Sequence, residues 1–151
     1  SFIGSFLPVF WSPIWFHRSP NTMGILCNPK NRFFSLFPTD DYSNWQWWNL
    51  IQGSQTMVLN CTPAHFHPIV QVIDNFARND KLGNVFEARV GKGKLLVCTL
   101  NIRDEKLPET AETAEFLKSL YAYVGSDSFK PNQSLDFSTL SKILSASSPA
   151  K

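Results

Sequence analysis

The sequence predicts an α/β domain in three layers, with helices on both faces of a mixed β-sheet. Three observations predict it. Helical and strand-like segments interleave along the chain. Leu95–Ile102 is almost continuously apolar, as in a strand covered on both faces. Gly91-Lys92-Gly93-Lys94 separates two strand-like runs, so at least one pair is antiparallel. A length of 151 residues suits a single domain over 1–151, with an ordered core over 1–130 and a C-terminal helix and tail over 131–151.

In chain order, Gly4–Phe10 reads as a short strand and 13–21 as a loop with two prolines. Asn28-Pro29-Lys30 makes a turn before a short helical piece, 31–36. Asp40, Asp41 or Ser43 caps a helix over 42–52 that ends at Gly53. Strands follow at 55–59 and at 67–75, the second carrying Ile69, Val70, Val72 and Ile73. Over 84–90, Phe86, Ala88 and Val90 alternate with Glu87 and Arg89, as in a strand with one wet face. The glycines of 91–94 supply a tight turn. The strongest helix has Pro108 in its first turn and Glu109, Glu112 and Glu115 near the positive end of its dipole. Its apolar face is read as Leu117, Leu120, Tyr121 and Val124, and Gly125 ends it. Asp136 caps a weaker helix over 137–144, and the remaining tail is small and polar. The chain enters at an apolar strand with no strand-helix unit before it. The expectation is a piece of a longer protein whose sheet lacks its first strand-helix units.

Composition narrows the function classes. The net charge is +2, from 14 basic and 12 acidic residues, which gives no electrostatic case for nucleic acid or an anionic membrane. No apolar run approaches the roughly 20 residues of a membrane-spanning helix. The first 15 residues are broken by Pro8 and Pro13 and lack both a basic start and a small-residue cleavage site, so they do not read as a signal peptide. Cys27, Cys61 and Cys98 are far apart and form no CxxC pair; they read as free, mostly buried thiols.

Several motifs invite chemistry and are better explained by structure. The 91–94 glycines lead into a strand, whereas a phosphate loop leads into a helix. Cys98 lies inside an apolar strand and Cys27 precedes Asn28-Pro29; neither has the flanking glycines of a nucleophile elbow. His65 and His67 could share a strand face, but no third ligand has supporting spacing, so neither metal nor cofactor is expected. Asp40-Asp41 and Asp104-Glu105 each precede an expected helix, which makes them caps rather than an acid–base pair.

The strongest chemical signal is aromatic. Aromatic residues make up 14% of the chain, with 13 Phe and 5 Trp, more rings than a small core readily holds. Trp45, Trp47 and Trp48 sit beside Asn44 and Gln46, and Trp11 and Trp15 lie in the first loop. On a helix Trp45 and Trp48 share a face and Trp47 points elsewhere. Indole faces beside amide side chains suit sugar rings; they suit equally the packing of this core or of a neighbouring domain. These seven residues are the candidate sugar or domain contacts, with an exposed patch expected around Trp11, Trp15 and Trp47.

A group of stretches carries a family likeness: Phe10-Trp11-Ser12-Pro13, Thr22 to Lys30, Ser43-Asn44-Trp45-Gln46-Trp47-Trp48, Pro68 to Phe76 and Val90 to Cys98. Over about residues 6–130 the sequence resembles the C-terminal region of large glycoside hydrolase family 2 proteins of the β-galactosidase type, as found in Bacteroides-like bacteria. The resemblance implies a three-layer sandwich similar to class I glutamine amidotransferase-like (flavodoxin-like) domains. The amidotransferase elbow is missing, so that activity is not implied. The family's two catalytic glutamates lie in an upstream (β/α)₈ barrel, which needs roughly 250 residues. No catalytic residue is therefore assigned to this chain.

The expectation is a non-catalytic accessory domain of a glycosidase whose whole acts on β-galactosides or related glycans in the periplasm or outside the cell. Its partners would be the remaining domains of that enzyme, a glycan, or a second copy. The alternatives are a carbohydrate-binding module using exposed Trp residues and an independent hydrolase using Cys27 or Cys98.

Overall fold

The computed structural model describes residues 2–5, 22, 24–76, 78–102 and 110–145. Six strands, β1 (Phe2–Ser5), β2 (Gly24–Cys27), β3 (Gln55–Val58), β4 (Val70–Ile73), β5 (Leu82–Val90) and β6 (Gly93–Cys98), form one sheet. Three helices are described: α1 (Trp48–Ile51), α2 (Ala111–Val124) and α3 (Phe137–Leu144). Short 3₁₀ turns occur at Arg32–Phe34 and Trp45–Trp47.

The long strand β5 is the spine. Along one edge it pairs first with β3, through Met57↔Gly83 and Val58↔Leu82, and then with β6, from Val85↔Cys98 to Val90↔Gly93. Along the other edge it pairs with β4, from Val72↔Leu82 to Val70↔Val85. Further on, the Arg89 N–H donates to the carbonyl of Gln133, and the Leu135 N–H donates to the carbonyl of Arg89. β1 adds outside β3 and β2 outside β4, giving the order β1-β3-β5-β4-β2 with β6 on β5 off that path.

Asn84 stitches the point where β5 exchanges β3 for β6. It is fully buried, its Nδ2 donates to the Gln55 carbonyl and to Thr99 Oγ1, and its own carbonyl accepts from the Thr99 N–H. Gly83, one residue earlier, has no room for a side chain: a Cβ there would lie 2.9 Å from Pro68 Cβ.

The expected flavodoxin-like sandwich is not the fold. All five strand pairings are antiparallel, and the parallel contact among the described residues is the isolated Arg89↔Ser134 bridge. Parallel neighbours need a crossover of a dozen or more residues, usually a helix. Here β5 and β6 are joined by a two-residue turn in which Gly91 takes φ 58°. β4 and β5 are joined by 74–81, in which the Asp74 carboxylate is held by Arg78 at 2.6 Å and by the Asp80 N–H at 2.8 Å. Alternation and turn chemistry made the 84–98 hairpin legible. The interleaved helical segments suggested crossovers that they are too short, or wrongly placed, to make.

Both faces of the sheet are nonetheless covered. One buries Ile25, Val70, Val72, Leu82 and Val85 against the 3₁₀ turns, α1 and the Phe116–Tyr123 stripe of α2. The other buries Met57, Leu59, Phe86 and Ala88 with Phe66, Leu135 and Ile143. The segment after residue 130 thus contributes both ladder bonds and core side chains. β6 is not the central strand its apolar run suggested; it pairs with β5 alone, and Leu95 to Cys98 are half-buried.

Two helices also differ from expectation. Residues 42–52 do not form one helix: Asn44 caps a 3₁₀ turn that runs into the short α1. In α2, capped by Thr110, the buried stripe is Phe116, Ser119, Leu120 and Tyr123, while Tyr121 and Val124 are exposed. That is one residue, about 100°, away from the expected face. The rotation is set by Ser119, whose hydroxyl donates to the Phe33 carbonyl at 2.6 Å and accepts from the Leu36 N–H at 3.2 Å. By contrast, α3 spans the expected residues and carries the expected cap, with Asp136 accepting from the Thr139 N–H at 2.7 Å.

Candidate functional site

Two places gather chemistry: the aromatic turn over residues 42–48 and a cleft beside β5. In the turn, the expected exposure is inverted at Trp47. Its indole is fully buried in this domain's own core, edge-on to Phe34, Phe37 and Phe116, and its Nε1 donates to Thr39 Oγ1 at 2.8 Å. Trp45 is 89% exposed, with Tyr42 at 55% and Trp48 at 41%. Tyr42 bridges to Leu26 on the outer edge of β2, and Leu26 is itself exposed. Trp11 and Trp15 lie outside the described residues.

The amides expected to hold sugar hydroxyls are committed to the chain. Asn44 Oδ1 accepts from the Gln46 N–H at 3.2 Å, and its Nδ2 donates to Asp40 Oδ2 at 2.9 Å. Gln46 Nε2 donates to the Pro38 carbonyl at 2.9 Å. The carbonyls of Asp40 and Asp41 in turn accept from the Cys27 thiol and the Cys27 N–H, pinning the turn to β2. So Asp40 and Asp41 tie a strand edge rather than cap a helix, and the aromatic side chains stand on a rigid frame. Asp104 and Glu105 lie outside the described residues.

The second place is a cleft of about 470 Å³ at a fork in the sheet. β4 and the 133–135 segment leave β5 at different points along the same edge, and Glu87 sits between them. Leu26, Pro68 and Ile69 supply apolar wall; Gln71, Glu87, Asn132, Gln133 and the imidazoles of His65 and His67 supply polar wall. Cys27, Asn28 and Asn31 also line it. Glu87 accepts from the Tyr123 hydroxyl at 2.7 Å. Burial, and then the neighbouring Glu87 carboxylate, raise the Tyr123 phenol well above its ordinary range, so it stays a donor. Gln133 ties the 133–135 segment to the loop before β4: its Oε1 accepts from the His67 N–H at 2.5 Å and its Nε2 donates to the His67 carbonyl at 2.8 Å.

Sequence reading singled out His65 and His67 but missed this cleft. Its walls come from β2, β4, β5, the 63–69 loop and the 132–133 segment, which only the fold brings together. Among the described residues no three His, Cys, Asp or Glu side chains converge as a metal site.

Cys27 and Cys98 do not have the setting of a nucleophile. Burial, with Asp41 and Asp40 adding to it, pushes Cys27 up to about 11, and burial alone pushes Cys98 up to about 11. Both stay protonated near neutral pH, where a nucleophile must be thiolate. Cys61 is exposed, against the expectation of mostly buried thiols. No described helix is long and apolar enough to cross a membrane.

No curated protein matches the chain. A family model described as a domain of unknown function, DUF8487, matches residues 1–145, and the chain belongs to that family.

Proposed function

We propose that this chain is a non-catalytic accessory domain of a larger glycoside hydrolase of family 2, and that its aromatic turn is where it meets the remaining domains of that enzyme. The exposed Trp45 on a fixed frame carries the reading. An exposed indole flanked by Tyr42, Trp48 and Leu26 is apolar surface of the kind that protein interfaces bury. A sugar platform would also need nearby free hydrogen-bonding groups, and Asn44 Oδ1, Asn44 Nδ2 and Gln46 Nε2 already serve the backbone or Asp40. The same commitment favours a domain contact over a glycan at this turn. The family-like stretches supply the identity of the enzyme, and with it β-galactosides or related glycans as the substrate of the whole and a periplasmic or extracellular setting.

The test is co-expression of the chain with the upstream segment of its own reading frame. The expected result is a stable complex whose tryptophan emission is blue-shifted and which Trp45→Ser loosens. An upstream segment that lacks a barrel with two catalytic carboxylates would overturn the reading. So would two pieces that stay separate, or hydrolysis of a nitrophenyl galactoside by the purified chain alone.

A further inference from the structure

We propose that the fork cleft, which shares Leu26 with the border of the aromatic turn, is a binding site for a neutral, hydroxyl-rich small molecule. Its size, about 470 Å³, falls within the roughly 300–1,000 Å³ of small-molecule sites. The polar wall argues against an anion. Among the described residues the lining contains no Lys or Arg, and its one carboxylate is Glu87, so an anion such as phosphate meets no counter-charge and an acidic group. The amides of Gln71 and Asn132 and the two imidazoles each combine donor and acceptor capacity. Neighbouring hydroxyls, which also donate and accept, match that set. The apolar side formed by Leu26, Pro68 and Ile69 suits the C–H face of the same molecule.

The site is also pre-organised. Tyr123 holds Glu87 Oε2 and so fixes the carboxylate. The two Gln133–His67 bonds hold the two arms of the fork together. The backbone adds to this. Thr99 bonds Asn84, so the even residues of β5 turn their amides to β6, and Arg89 turns its own to Gln133 and Leu135. By that alternation Glu87 directs its N–H and C=O into the fork, past the end of β4. Rigid walls lower the ordering penalty on binding.

The experiment is titration of the full 151-residue chain with galactose, myo-inositol, inorganic phosphate and a short capped peptide, followed by side-chain amide, imidazole and aromatic NMR resonances. The expected result is saturable shifts of Gln71, Asn132, His65 and His67 with galactose or inositol. Glu87→Gln should weaken that binding about tenfold or more, because a charged acceptor is lost. Gln71→Ala, on the half-buried face of β4, should weaken it without touching Tyr123, and Trp45→Ala should leave it unchanged. Three outcomes overturn the proposal: no shift at saturating polyol, shifts confined to Tyr42 and Trp45, or stronger shifts of the same groups with phosphate or peptide. Binding by the isolated chain does not depend on a partner enzyme, so this site and the accessory-domain reading fail separately.

Discussion

The aromatic turn and the fork cleft solve opposite problems with similar residues. In the turn the Asn44 and Gln46 amides bond the chain and Trp47 is buried, while Tyr42, Trp48 and above all Trp45, 89% exposed, face out. In the cleft the apolar groups form a wall and the polar groups converge, with Glu87, Gln71 and the imidazoles around one volume. The first therefore suits a dry partner surface and the second a wet, small ligand. A ring beside an amide in sequence does not identify a binding site until the hydrogen bonds of the amide are accounted for.

The largest expected effect breaks the turn from within. Trp47→Ala removes a fully buried indole from a cluster with Phe34, Phe37 and Phe116, and should destabilise the chain by about 3–5 kcal/mol. Trp45→Ala should change stability by no more than about 0.5 kcal/mol. Urea unfolding followed by circular dichroism checks both. Equal losses would mean that Trp45 is also a core residue and that the turn presents no free ring.

On the cleft side, Gln133→Ala removes two hydrogen bonds to the His67 backbone and should lose about 1–2 kcal/mol. Its sharper readout is faster amide exchange at His67, with exchange in the aromatic turn unaltered. A smaller effect in the turn comes from Asn44→Ala, which deletes the cap of the 3₁₀ turn and should lose about 1 kcal/mol. If Trp45 emission also moves in that variant, the cap is what holds the ring in place.

The sequence showed the parts of this molecule that depend on neighbours in the chain. The alternation of Phe86, Ala88 and Val90, the Gly91 turn and the Asp136 cap are local, and each is where it was read. What depends on distant partners was hidden. β2 is a strand because β4 pairs with it on one side and Tyr42 and Asp41 bond its other edge. The buried face of α2 is set by Ser119 bonding the turn at Phe33, a polar residue that a hydrophobic pattern counts as outside. Asn84 joins three segments, β5 to Gln55 and to Thr99, that lie far apart in sequence. The cleft has no motif because its walls meet only after the sheet has formed.

The smallest expected effect appears only in alkali and belongs to the cleft. Tyr123 has its phenol raised by burial and by Glu87, so the folded chain holds that proton to higher pH than the unfolded chain, where tyrosine titrates near about 10. Its stabilising contribution is therefore complete below about pH 10 and drains away as pH rises towards the folded value, because the unfolded state loses its proton first. Between about pH 10 and 11 the loss from one such group is at most about 1 kcal/mol. Tyr123→Phe should flatten that part of the stability curve relative to the parent, whereas Trp45→Ala should leave its slope intact. A parent and a Tyr123→Phe variant that lose stability in parallel would show that the phenol is not held by Glu87, and the cleft would then lack its fixed carboxylate.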